Sequence, residues 1–256
     1  MSINSKIGNK KQYLQLHEYA KNFDNSSILN EIKEYFDSIH NKLEIDYFAL
    51  YLHIRIKNQI PIYIHGYLIS SALHKFITSN KTIENINIFE TGTDMGFSTL
   101  IMAHILDKNN RKGIIHTIDK VGHLNKYFWN SIEDHTKNAP KSRFEILERW
   151  KDLRDNYCNF ITGESNNVIP HLQIDRIHFA FLDGDHHYAN LIKELEFCDK
   201  NQLSGDVIIC DDYTKNKYLD VCKAVNEFLE KKTYDFKIFF GDDNIKKRGY
   251  VYMQKK

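Results

Sequence analysis

The chain has 256 residues, 42% of them hydrophobic and 27% charged, and a formal net charge of +1. That length suits one α/β domain with an extension or two small domains. The near-neutral balance excludes the basic footprint of a nucleic-acid binder, and no run of about 18 apolar residues is present to cross a membrane.

Residues 1 to about 25 are polar and are expected to be loosely ordered. From Ser27, the positions Ile28, Ile32, Tyr35, Phe36 and Ile39 follow helical spacing, with Ser26 or Ser27 as N-cap. A second aromatic-rich segment covers Tyr47 to Ile56. A third apolar pattern runs from Tyr67 to Ile77. These segments make residues 1–80 an N-terminal helical extension or cap, and 81–256 the chemical domain. The strands then read Ile86–Glu90, Gly113–Ile118, Asn159–Thr162, Arg176–Leu182 and Gly205–Cys210, with helices between them. Phe236–Phe240 and Gly249–Met253 close the chain as two final strands. Strands alternating with helices predict a doubly wound, mostly parallel sheet. Cys158, Cys198, Cys210 and Cys222 form no C-x-x-C pair and read as free thiols in a reducing compartment. With no apolar leader, the expected location is the cytoplasm.

The first strand runs into Glu90-Thr91-Gly92-Thr93-Asp94-Met95-Gly96-Phe97-Ser98, a strand, a tight turn and the start of a helix. A dinucleotide fingerprint would read G-x-G-x-x-G and face a phosphate. Here the turn reads E-x-G-x-x-x-G, with carboxylates at Glu90 and Asp94. That favours a cationic ligand without phosphate, such as S-adenosylmethionine, over the alternative of an NAD-binding Rossmann oxidoreductase.

In an open α/β sheet the ligand lies outside the carboxyl ends of the strands. All five of the first strands end on acids: Glu90, Asp119, Glu164, Asp183 with Asp185, and Asp211 with Asp212. Asp119 lies 23 positions past Gly96, where an acid can accept from both ribose hydroxyls at once, or alternatively cap a helix. Glu164 and Ser165 end the strand expected beside an adenine. Asp183, Asp211 and Asp212 converge if strands four and five are neighbours. A divalent cation, Mg²⁺ by its preference for oxygen, would relieve their repulsion. Helix capping by Asp183 and Asp211 is the competing account, and His186 or His187 turned inward would favour Mn²⁺ or Zn²⁺.

The turn motif, Ile118-Asp119, Phe181-Leu182-Asp183-Gly184-Asp185-His186-His187-Tyr188 and Cys210-Asp211-Asp212-Tyr213 together resemble class I S-adenosylmethionine-dependent methyltransferases. The groups most similar are metal-dependent O-methyltransferases of the macrocin and noviose sugar type. The resemblance covers residues 85 to about 255. It implies a seven-stranded Rossmann-like sheet with its last strand antiparallel. The cofactor residues it implies are Glu90, Gly92, Thr93, Gly96, Ser98 and Asp119, with Glu164, Ser165 and Asp183. It implies metal at Asp183, Asp211 and Asp212, and a catalytic base at Asp185 with His186 as the substitute. Crowding beside Asp183 would raise the pKa of Asp185 into a useful range.

The expected reaction is methyl transfer to a hydroxyl of a small molecule or saccharide, with a metal-independent methyltransferase as the alternative. Trp129, Trp150, Tyr127 and Tyr213 are candidates to stack on the acceptor. The aromatic N-terminal helices are the expected contact of any homo-oligomer.

Overall fold

The computed structural model describes residues 5–38, 42–136, 139–242, 245 and 247–256. Four helices precede the sheet: α1 (Lys10–Asn22), α2 (Ser26–Phe36), α3 (Lys42–Leu52) and α4 (Ile64–Ser79). Then β1 (Asn85–Thr91), α5 (Phe97–Lys108) and β2 (Lys112–Asp119) form the first βαβ unit, its strands parallel. Short helices α6 (Arg143–Ile146) and α7 (Lys151–Tyr157) lead to β3 (Cys158–Thr162), and α8 (Ser165–Val168) leads on to β4 (Phe179–Leu182). The chain closes through α9 (Tyr188–Lys200), β5 (Val207–Cys210), α10 (Leu219–Lys231), β6 (Tyr234–Asp242) and β7 (Lys247–Lys255).

The seven strands lie in the order β3-β2-β1-β4-β5-β7-β6. All neighbouring pairs from β3 through β5 are parallel, and β7 runs antiparallel to both β5 and β6. The order reverses between β1 and β4, which puts a crevice at their carboxyl ends. Because β7 is antiparallel, its first residues stand beside the last residues of β5.

Alternation along each strand feeds two cores, one per face. Ile88, Phe179, Phe181, Val207, Ile209, Tyr250 and Tyr252 face the helices α1 to α5. Phe89, Ala180, Leu182, Ile208, Cys210, Val251 and Met253 face α9 and α10. The N-terminal helices therefore pack into the same core as the sheet. Of their aromatics, Tyr13, Phe36 and Phe48 are buried, while Tyr19, Tyr35 and Tyr47 are exposed.

Three local expectations change. The polar first 25 residues contain α1, because Tyr13, His17 and Ala20 recur on one face and bury it, while Asn9 caps the helix by accepting from the Gln12 amide. Neither Ser26 nor Ser27 caps α2. Asn25 holds the cap position, and Asp24 accepts from the Ser26 amide and hydroxyl. β4 begins at Phe179 rather than Arg176, whose guanidinium instead grips the buried Asp206 with two bonds of 2.9 Å. Ile39 lies outside the described residues. The four cysteines are free, and no helix among the described residues is long and apolar enough to cross a membrane.

Candidate active site

The turn after β1 is closed by residues in left-handed backbone, Gly92 at φ 87°, Asp94 at φ 49° and Gly96 at φ 94°. A Cβ on Gly92 would stand 2.1 Å from the carbonyl oxygen of Asp183, so only glycine lets the ends of β1 and β4 meet here. Gly92→Ala is expected to cost roughly 3 kcal/mol or more through this clash and the positive φ. A melting temperature equal to that of the unmodified chain would refute this.

Beneath the turn sits Glu90, fully buried. Its oxygens accept from the hydroxyls of Ser98 (2.5 Å), Thr99 (2.5 Å) and Thr117 (2.6 Å). Burial raises its pKa, and these hydroxyls with Arg143 oppose the rise. Glu90 thus braces the turn from behind, enclosed by these hydroxyls and lining neither cleft described below. The hydroxyl of Thr93 lies 2.5 Å from that of Thr117. Gly96 faces the side chain of Leu147 rather than a cleft.

Arginines contact four of the acids on the rim, Arg248 reaching Asp212 at 3.3 Å as well as Asp211. Arg55 contacts Asp94 at 2.5 Å and Arg143 contacts Asp119 at 3.0 Å. Arg248, from the start of β7, grips both oxygens of Asp211 at 3.2 and 2.9 Å. Burial works against ionisation of Asp94, but the guanidinium of Arg55 outweighs it and holds the pKa below its ordinary value. The rim is therefore not the uniformly negative edge read from the strand ends.

Asp119 keeps little capacity to spare. The amide of Val121 donates to Oδ1, while the amide of Asp94 and Nη2 of Arg143 donate to Oδ2. Of about four lone-pair sites on a carboxylate, one remains on Oδ1, enough for one ribose hydroxyl rather than two. Asp119, Glu164, Ser165, Gly92 and Asp183 line a cleft of about 570 Å³ at the ends of β1, β2, β3 and β4. That volume is ordinary for a small-molecule site.

A second cleft, of about 400 Å³, opens on the other side of the same turn. Gly92, Thr93, Asp94, Ser98 and Asp183 form its floor, with His186, Asp212 and Arg248 on one flank. Its far wall comes from the N-terminal segment: His53, Lys57 to Pro61 and His65. The two clefts share Gly92, Asp94, Asp183 and His186.

Ligand atoms of Asp183, His186 and Asp212 lie within 4.8 Å of one another. Nε2 of His186 is 2.8 Å from Oδ2 of Asp212, yet the contact lacks hydrogen-bond geometry and this buried nitrogen has no hydrogen-bond partner. Asp211 does not join the group, because its carboxylate is fully buried against Arg248. Of the three acids expected together, Asp183 and Asp212 are grouped with His186, and Asp211 stands apart with Arg248. Burial, then Asp211 and Asp212, raise the pKa of Asp183 well above the carboxylate range. Arg248 supplies one positive charge against the three acids, so the fully ionised cluster retains a net negative charge. A divalent cation fits this donor set, and the imidazole favours Mn²⁺ or Zn²⁺ over Mg²⁺.

Residues 89–213 match a protein family described as a methyltransferase domain. The match begins within β1 and ends just past β5, the segment that carries the turn after β1 and the acids of the rim. No curated protein sequence matches the chain. Among solved structures, the O-methyltransferase NovP aligns with a TM-score of 0.58 and 18% identity, over 88% of this chain and 99% of its own. An O-methyltransferase from Bacillus cereus, solved in complex with SAH, gives 0.54 and 16% over 96% of this chain and 100% of its own. TomG, an O-methyltransferase from Streptomyces achromogenes solved with SAM, gives 0.56 and 12% over 98% and 100%. At these identities the likeness is one of fold.

Within the matched segment, Asp185, expected as the base, is engaged by its neighbours. It accepts from the His187 amide at 3.0 Å, contacts Nδ1 of His187 at 2.5 Å and accepts from Asn190. Burial alone would raise its pKa, but these bonds prevail and lower it, opposite to expectation. It lines the first cleft and not the second. The stacking candidates are also occupied elsewhere. Trp129 is buried with its indole N–H on the Lys141 carbonyl, Trp150 packs on Tyr47, Phe48 and Tyr51, the Tyr213 hydroxyl donates to Asn226, and the Tyr127 ring packs edge-on against Trp129. The aromatic rings on the second cleft are Phe97 and Tyr218, the latter stacked on His186 at 4.2 Å.

Sequence reasoning missed the wall of His53, Lys57 and His65, which carries no motif. It also missed Arg248, for which a signal existed: an arginine at the start of an antiparallel last strand must stand beside the end of β5.

Proposed function

We propose that this chain is an S-adenosylmethionine-dependent methyltransferase that transfers a methyl group to a hydroxyl of a small molecule, assisted by a divalent metal. The observation that supports this most is the pair of clefts meeting at Gly92 and Asp183. A donor held beside Asp119 could present its methyl group through that junction to an acceptor in the second cleft. The cofactor supplies an activated methyl on a sulfonium, so the protein chiefly has to align the acceptor oxygen. Gly92 keeps the junction open. Asp119 offers its remaining lone pair to the ribose, and Glu164 and Ser165 border the adenine end. His53, His65 and Phe97 restrict what enters from the acceptor side, and residues 1–80 act as the cap over it. Asp183, His186 and Asp212 would hold the metal, which when bound makes a hydroxyl more acidic and fixes its direction.

Arg248 favours a second reading. It already sets a cation among the acids, as a metal-independent methyltransferase would require. Turnover unaffected by EDTA would select that reading.

The cofactor assignment is tested by calorimetry with S-adenosylhomocysteine (SAH). Asp119→Asn removes the charge that accepts from the ribose, and is expected to weaken binding by about tenfold, as for loss of a charge-assisted hydrogen bond. Equal affinity in the two proteins would overturn the assignment.

A further inference from the structure

The wall of the second cleft and the cofactor turn are joined through one side chain. Residues 53–63 connect α3 to α4 by way of a loop. At one end, Nε2 of His53 donates to the Ile62 carbonyl at 2.9 Å. In the middle, the amide and carbonyl of Ile56 pair with the Asn130 side chain at 3.2 and 2.9 Å, and the Tyr13 hydroxyl donates to the same Asn130 oxygen. Between these anchors, Arg55 reaches out of the wall to the Asp94 carboxylate. Asp94 is itself a node. Its amide donates to Asp119 at 2.7 Å, and its carbonyl accepts from Nε of Arg143 at 2.5 Å, the same arginine that holds Asp119. The path from wall to ribose acid is thus Arg55, Asp94, Asp119, with Arg143 closing the ring.

The first link is incomplete. Nε of Arg55 is buried and has no hydrogen-bond partner, although guanidinium and carboxylate can pair through two parallel bonds. A buried donor without an acceptor is costly, and a small movement of the wall toward the turn is the motion that would satisfy it. Asp94 holds a left-handed backbone at φ 49° without being glycine, a conformation sustained only while its partners hold it.

We propose that Arg55 is a positioning residue that couples the two clefts, so that filling the cofactor cleft tightens the acceptor wall. This rests on the reading of the first cleft as the cofactor site. A donor hydroxyl on Asp119 fixes that carboxylate, Asp119 fixes the Asp94 amide, and the Asp94 carboxylate then draws Arg55 and the segment around it into place. By linkage, a tighter wall also strengthens cofactor binding.

The test is hydrogen–deuterium exchange of the full chain with and without SAH, together with calorimetry of SAH binding. In the unmodified protein SAH is expected to slow exchange over residues 54–60 as well as around the turn after β1. In Arg55→Met, slowing should be confined to the turn and to the end of β2, and SAH affinity should fall about tenfold, within the ordinary range of coupling. Arg55→Lys, which keeps a charge but not the fork, should restore part of both effects. Asp94→Asn breaks the same link from the other side, and it serves if Arg55→Met does not fold. Protection of residues 54–60 that is absent in the unmodified protein, or unchanged in Arg55→Met, overturns the coupling while leaving the cofactor site standing. Failure of SAH to bind the unmodified protein overturns the functional reading, and the coupling with it.

Discussion

Asparagine at position 183 is expected to weaken Mn²⁺ binding by at least about a hundredfold and to reduce methyl transfer with it. Changes in the partners around a metal ligand already cost about 10–100-fold, and Asp183 is proposed as a ligand itself. The substitution keeps the shape of the side chain and removes one negative charge from a cluster that Arg248 only partly neutralises. Asp211→Asn is the informative contrast. Asp211 belongs to the buried pair with Arg248, so its loss should appear mainly as destabilisation, held below the cost of an unpaired buried charge because Arg248 keeps its 3.3 Å contact with Asp212. Titration of Mn²⁺ followed by electron paramagnetic resonance separates the two variants. Equal Mn²⁺ affinity in Asp183→Asn and the unmodified protein would remove the metal site. Absence of Mn²⁺ binding in the unmodified protein would favour catalysis with Arg248 as the resident cation.

The sheet was legible because its strands are short apolar runs ending in acids, and its helices carry apolar spacing. α1 escaped because Tyr13, His17 and Ala20 form a narrow buried stripe in an otherwise polar segment. The site was legible in position and less so in charge. Strand ends locate Asp119, Asp183 and Asp212 correctly, since a parallel sheet must deliver them to one edge. Which acids remain open there depends on Arg55, Arg143 and Arg248, which arrive from 24 to 39 positions away along the chain or, for Arg248, from 37 positions beyond Asp211. No local pattern announces such pairings. The same limit applies to Asp185, where a neighbouring histidine and Asn190 decide its basicity rather than the acid cluster nearby.

Glu194→Gln is expected to stabilise the protein at pH 8 and leave it unchanged near pH 5. Glu194 lies on α9, three positions after Leu191 and four before Cys198, and shares their buried face. It is fully buried beside Thr91 of the first cleft, whose hydroxyl donates to it at 2.9 Å, and among the described residues no cation pairs with it. Burial raises its pKa to about 7, with hydrogen bonds from Ser165 and Thr91 opposing only in part. Between its unfolded value near 4.5 and about 7, the folded chain holds a proton that the unfolded chain has released. Stability is therefore fully present below the lower value and is lost as pH rises through the upper one. At about 1.4 kcal/mol per pKa unit the loss approaches about 3 kcal/mol, an order-of-magnitude figure. Glutamine reproduces the neutral, proton-bearing form at every pH and should escape that loss. Asp183 and Asp211 are also raised, but both remain in the variant, so the difference between the two proteins isolates Glu194. Urea unfolding at pH 5 and pH 8 measures it directly. A constant difference across that interval would mean that Glu194 is ionised in the folded chain throughout, with a cation in reach that the geometry around Thr91 does not provide.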